Sequence, residues 1–137
     1  MEKTLAIIKP DAFSCRHAGE IISMIEKAGF TIRAARVLHL TRPQAEGFYA
    51  VHRGKPFFDS LVKFMTEGPV MVMALEREDA IKTWREVMGA TNPANAAEGT
   101  IRKRFGASIE RNAAHGSDAP ETAQFELGYF FPAIDLA

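Results

Sequence analysis

Cysteine is nearly missing from this chain of 137 residues, where Cys15 stands alone. An internal disulfide framework is thereby excluded, and a lone thiol suits a reducing compartment. Long hydrophobic runs are missing as well. The opening MEKTLAIIKP holds an apolar stretch too short for a signal core or a membrane span, so a cytoplasmic protein without a membrane partner is expected. Net charge is absent too, since 17 Lys plus Arg balance 17 Asp plus Glu. A neutral total offers no global field to recruit nucleic acid, so that partner is not expected. Any anion chemistry must rest on a local cluster of cations. No repeat, linker or low-complexity stretch divides the chain, and residues 1–137 are read as one domain.

Several functional motifs are missing in turn. The nearest approach to a Walker A loop, Gly54–Lys55, is followed by Pro56 and lacks the hydroxyl residue. Neither G-x-G-x-x-G nor G-x-S-x-G occurs. Cys15 and His17 have no second ligand pair, so no protein metal site is expected. Phosphate handling without these loops would need side-chain arginines and a covalent carrier.

What is present is a regular alternation of patterns. Leu5–Ala6–Ile7–Ile8 and Val70 to Leu75 are short apolar runs bounded by Pro10 and by Gly68–Pro69, which suits central strands. Thr31 to Leu40, interrupted by Arg33 and Arg36, reads as a more exposed strand. Ala18, Ile21, Ile22, Ile25 and Ala28 recur at helical spacing before a Gly29 stop. Thr41–Arg42–Pro43–Gln44 is a capping-box pattern predicting a helix that carries Phe48, Tyr49 and His52. Phe58, Leu61, Val62 and Met65 form a further stripe, and Ile81, Trp84 and Met88 another that Gly89 ends. Thr91 to Asn112 reads as one long irregular stretch holding Arg102, Lys103, Arg104 and Arg111, the local positive cluster. Ser117–Asp118–Ala119–Pro120–Glu121 supplies cap, early proline and acid for a last helix. Strands alternating with helices predict an α/β (α+β) ferredoxin-like sandwich, with a four-stranded antiparallel sheet covered by helices.

His115 precedes a glycine and is expected in a tight turn just upstream of the last helix. Imidazole is partly neutral near pH 7 and attacks phosphorus without a separate base. In the last helix Ala123, Glu126, Leu127 and Phe130 share one face, which places a carboxylate within an apolar stripe. That carboxylate either orients the His115 ring with Ser117 bridging, or sits at the margin and reaches water. Spacing alone leaves the two even. Taken singly, Arg85 fits a solvated flank and Phe57 core packing better than a site, Lys9 at a strand end fits a site or a reach to solvent, and Tyr49 and His52 fit core or partner packing equally well.

Taken together the motifs resemble the nucleoside diphosphate kinase family over essentially the whole chain. Asn112–Ala113–Ala114–His115–Gly116–Ser117–Asp118 is similar to the family's active-site signature. Ile7–Ile8–Lys9–Pro10–Asp11, Gly54–Lys55–Pro56–Phe57–Phe58, Gly89–Ala90–Thr91–Asn92–Pro93 and Gly99–Thr100–Ile101–Arg102 precede it in matching order. The resemblance implies that His115 accepts a γ-phosphate from a nucleoside triphosphate and passes it to a diphosphate, with Glu126 and Ser117 steering the ring. It implies sugar contacts from Lys9 and Asn112, phosphate contacts from Tyr49, His52, Arg85, Thr91 and Arg102, and base contacts from Phe57, Leu61 and Ile109. It also implies Mg²⁺ held mainly by nucleotide phosphates, and a homo-oligomer, tetramer ahead of hexamer. Arg104 and Lys103 depart from the family's usual residues, as do Arg77 and Val51, which puts a customary loop ion pair in question. The alternative is a non-catalytic ferredoxin-like nucleotide-binding module that regulates a partner, needing Phe57 and the arginines but no nucleophile.

Overall fold

The computed structural model describes all residues, Met1–Ala137. Strand β1 (Glu2–Ile8) leads through a short helix α1 (Pro10–Ser14) into α2 (Ala18–Lys27) and then β2 (Thr31–Leu38). Helices α3 (Arg42–Phe48) and α4 (Phe58–Met65) precede β3 (Val70–Arg77). After α5 (Ala80–Met88) and α6 (Ile101–Phe105) comes β4 (Ala114–Gly116), and α7 (Pro120–Phe130) with α8 (Ala133–Leu136) ends the chain. The strands form one sheet in the order β2-β3-β1-β4, with every pairing antiparallel. This is the expected ferredoxin-like sandwich.

The apolar runs in β1 and β3 are continuous because the sheet is covered on both faces. Alternate residues of a strand point to opposite sides. Leu5 and Ile7 enter one core with Val72 and Ala74, closed by Phe48, Val62, Phe64, Leu127 and Phe130 from α3, α4 and α7. Ala6 and Ile8 enter a second core with Met73 and Leu75, closed by Ile21, Ile25, Trp84, Met88 and Ile101 from α2, α5 and α6. Strand β2 lies at the sheet edge and is mostly solvated, as its arginines predicted. No helix is long and apolar enough to cross a membrane.

The capping box at Thr41 forms in full: Thr41 Oγ1 accepts from the Gln44 amide, and the Thr41 amide donates to Gln44 Oε1 at 2.9 Å. The helix it starts is shorter than expected. It stops at Phe48, and the chain tightens into a 3-10 turn over Ala50–His52, where the His52 amide bonds Tyr49 O at 2.8 Å. The stretch from Thr91 to Asn112 is also more ordered than expected. It contains a 3-10 turn at Pro93–Asn95 and then α6, capped by Thr100. Five residues of helix leave too little periodicity to read from sequence.

Candidate active site

The register of the sheet decides where His115 points. Strand β4 pairs with β1 so that His115 lies opposite Ile7, while Ala114 and Gly116 lie opposite Ile8 and Ala6. Directly opposed residues share a face. The imidazole therefore stands on the side covered by α3, α4 and α7, and its ring meets Phe48 edge-on with centroids 5.3 Å apart. Gly116 faces the other core, where a Cβ would come within 2.5 Å of Trp84 Cδ1. The expected tight turn at His115 is thus a strand, and the following glycine is there because Trp84 leaves no space for a side chain. Trp84 also donates its Nε1–H to the His115 carbonyl at 3.1 Å, fixing the backbone.

Helix α7 brings Glu126 to the ring. His115 Nε2 lies 3.0 Å from Glu126 Oε1, and the two side chains are only 18% and 14% exposed. Ser117 Oγ donates to the same oxygen at 2.8 Å and accepts from the Leu5 amide at 3.2 Å. The Leu5 amide engages the serine lone pair, which leaves its proton for Glu126. Of the two roles open to Glu126, the structure has the inward one. Ser117 is fully buried and does not cap α7. The N-cap is Ala119, and Thr122 Oγ1 accepts from the Ala119 amide at 2.9 Å and the Asp118 amide at 3.2 Å.

A buried polar relay lies beside β4. Lys9, just past β1, donates to Asn112 Oδ1 at 2.8 Å, and Asn112 Nδ2 donates to Thr91 O at 3.0 Å. Burial, and then the Arg102 guanidinium, hold the Lys9 ammonium down from 10.5 to about 8. Between Asn112 and β4, Ala113 adopts a φ of 75°. That is a strained conformation for a residue with a Cβ, and its amide is held by Asp11 Oδ2 at 3.1 Å. The kink lets Asn112 face Lys9 while Ala114 enters the strand.

Of the expected positive cluster, only part reaches this site. Arg104 pairs with Glu20 at 2.6 Å and Arg111 with Glu67 at 2.8 Å, both on the exterior. Arg104, on α6, thus pairs outside its own stretch, with α2. Arg102 remains inside. It is 7% exposed and donates Nη1 to Gly89 O and Nη2 to Ala114 O, the carbonyl preceding His115. No carboxylate pairs with it and its buried Nε has no partner, while burial and Arg85 lower its pKa to about 10. Such a cation is prepared for an anion. Arg85 is half exposed and bonded to Asp118 Oδ1 at 2.7 Å.

Seven of the expected residues line a single cleft: Lys9, Phe57, Leu61, Thr91, Arg102, Ile109 and Asn112. Phe57 and Ile109 are exposed at 45% and 62%, whereas Lys9 sits at the buried end. Thr91 also borders a wider groove shared with Arg85 and Asp118. His115 lines neither concavity. A file of rings joins it to Phe57, through Tyr49 at 6.3 Å and His52 a further 6.3 Å on, with His52 and Phe57 5.2 Å apart. The Tyr49 hydroxyl is buried without a partner, and burial followed by Glu126 raises its pKa. Burial and then Lys55 lower that of His52, whose Nδ1 accepts from Lys55 Nζ at 3.1 Å. Sequence reasoning missed Glu110, which lines the cleft, along with the Trp84 and Leu5 contacts. Only Glu110 carried any signal, as the neighbour of Ile109. No group of three or more His, Cys, Asp or Glu side chains is placed to hold a metal.

Residues 2–136 match the family model described as nucleoside diphosphate kinase. The chain is 61% identical to the nucleoside diphosphate kinase of Syntrophotalea carbinolica, over 99% of each chain. It is 58% identical to that of Nitratidesulfovibrio vulgaris, over 99% of this chain and 98% of the relative. Among solved structures, the Aquifex aeolicus nucleoside diphosphate kinase superposes with a TM-score of 0.96 at 43% identity, covering 98% of this chain and 97% of that one. The Encephalitozoon cuniculi enzyme gives 0.92 at 36% identity, over 96% and 89%.

Proposed function

Because the chain belongs to the nucleoside diphosphate kinase family, we propose that it moves the γ-phosphate between nucleotides in two half-reactions through a phosphohistidine on His115. The observation that carries this reading is the bond from His115 Nε2 to Glu126, with Ser117 on the same carboxylate oxygen. A hydrogen on Nε2 leaves the lone pair on Nδ1, and the carboxylate offsets the positive charge that the ring gains during attack. In the first half-reaction the Nδ1–P bond forms as the bond from phosphorus to the bridging oxygen breaks, and the diphosphate departs. In the second, an oxygen of the acceptor's terminal phosphate attacks phosphorus, and the lone pair returns to Nδ1. Arg102, bonded to the carbonyl preceding His115, supplies a cation and the unpartnered Tyr49 hydroxyl a donor, and positioning does most of the remaining work.

Phe57 offers a flat face to the base, a contact tolerant of base identity, with Leu61 and Ile109 completing the walls. Lys9 and Asn112 then face the sugar hydroxyls, and Thr91, Arg85 and His52 the phosphates. Arg85 keeps its remaining N–H donors for a phosphate beside its bond to Asp118. Mg²⁺, when bound to the nucleotide, neutralises phosphate charge, held by nucleotide and water rather than by a protein cage. Assembly as a homo-oligomer, tetramer ahead of hexamer, belongs to the same reading.

Steady-state kinetics test the proposal. Double-reciprocal plots at several fixed acceptor concentrations are expected to be parallel, and His115→Ala is expected to abolish exchange while nucleotide affinity stays within a few-fold. Intersecting lines together with retained turnover in the variant would remove His115 from its role.

A further inference from the structure

A carboxylate stands in the cleft where a polyanion is meant to bind. Glu110 is half-buried and lines the same concavity as Phe57, Leu61 and Ile109. Ser60 Oγ, on α4, donates to Glu110 Oε1 at 3.0 Å, so the side chain is tied across from one wall of the cleft to the other. Its second oxygen has no hydrogen-bond or ion-pair partner in the chain. The buried cations Lys9 and Arg102 mark the deep end, and the exposed faces of Phe57 and Ile109 mark the mouth. The bond to the exposed Ser60 brings the Glu110 carboxylate toward the mouth, while its charge still reaches Lys9 at the deep end. A negative group there opposes phosphate but suits a neutral partner with N–H donors.

We propose that Glu110 selects the nucleobase, favouring guanine through a free carboxylate oxygen facing the base edge. This rests on the reading that the cleft takes a nucleotide with its base against Phe57. Guanine presents two adjacent donors, the ring N1–H and the 2-amino group, and a carboxylate accepts both side by side. Adenine and cytosine offer an amino group next to a ring acceptor. Uracil and thymine flank their one N–H with two carbonyls, which repel the carboxylate. The order of preference is therefore guanine, then adenine and cytosine, then uracil. Stacking on Phe57 alone gives no such order, because every base has a π-face.

The test compares kcat/KM for guanosine diphosphate and inosine diphosphate as acceptors, with ATP and Mg²⁺ as donor. The two bases differ only by the 2-amino group. A charge-assisted hydrogen bond at a half-exposed site is expected to favour the guanine nucleotide by about five- to tenfold. Glu110→Ala is expected to bring the ratio near one by lowering the guanine value more than the inosine value, since hypoxanthine keeps the N1–H but lacks the amino donor. Glu110→Gln, which keeps one acceptor, and Ser60→Ala, which frees the carboxylate, are expected to fall between. An unchanged ratio in Glu110→Ala overturns the inference, as does an equal loss for both acceptors, which is the signature of a sugar contact. A wild-type enzyme that exchanges no nucleotide overturns the functional reading beneath it; exchange with a ratio independent of Glu110 overturns the base selection alone.

Discussion

Glu126 is a carboxylate placed where an apolar stripe would predict leucine, and its cost is offset by the two donors that it receives from His115 and Ser117. Removing it leaves the imidazole free to rotate and its Nε2–H without a partner. Glu126→Ala is expected to slow phosphorylation of the enzyme by roughly ten- to a hundredfold, as for lost supporting bonds at metal-bound histidines, measured by rapid quench with ATP. An unchanged rate would mean that Phe48 and Tyr49 alone orient the ring. Lys9 makes a prediction about pH. Its folded pKa of about 8 lies below the ordinary 10.5, so between these values the unfolded chain holds a proton that the folded chain has shed. Stability therefore rises with pH across that window, and the penalty is fully present below about 8. Binding of an anion runs the other way, because the cation is lost. KM for nucleotides is expected to climb above about pH 8, and Lys9→Met is expected to flatten the profile; a wild-type KM constant to pH 9.5 would exclude Lys9 as a ligand cation. The inward role of Glu126 was only half legible beforehand, because helical spacing gives the face but not the reach. The unpartnered Tyr49 hydroxyl and the Ser60–Glu110 bond were not legible at all, being long-range facts with no local pattern.

At the scale of elements, three residues of β4 carry the nucleophile, and their register against β1 is set by what each face tolerates. Gly116→Ala would push a methyl group to 2.5 Å from the ring of the fully buried Trp84 and 2.7 Å from Met88 Cε. Overpacking of this kind typically costs about 1–3 kcal/mol. The variant is expected to melt several degrees lower in calorimetry, with weakened activity as β4 shifts. Wild-type stability would show that Trp84 yields without cost. Elements with strong periodicity or explicit caps, such as α2, α5 and the start of α3, were readable from sequence. α1 and α6 were not, since each spans five residues and takes its order from packing. β4 was hidden for the same reason. Its short run has no alternation to detect, and the His-Gly pair signals a turn until Trp84 is seen to require the glycine.

Across the whole molecule, the antiparallel sheet joins two ends of the sequence: Lys9 leaves β1 beside Asn112, and Leu5 bonds Ser117. Sheet order follows from the pattern of strands, since β1 and β3 are apolar on both faces and take the centre while the arginine-bearing β2 takes an edge. The position of α7 over β1 then follows from its own apolar face, and this brings acid, hydroxyl and imidazole together. Family membership makes the chain an enzyme rather than a regulatory binding module. The central claim is that the ring held by Glu126 carries phosphorus between two nucleotides. It is tested most directly by treating the protein with labelled ATP and Mg²⁺, removing nucleotide, and locating the label by phosphorus NMR and peptide mass spectrometry. The account predicts acid-labile, base-stable phosphate on His115 Nδ1 that added guanosine diphosphate removes as the triphosphate. Label that is acid-stable, resides on Ser117 or elsewhere, or fails to chase into added diphosphate would contradict it.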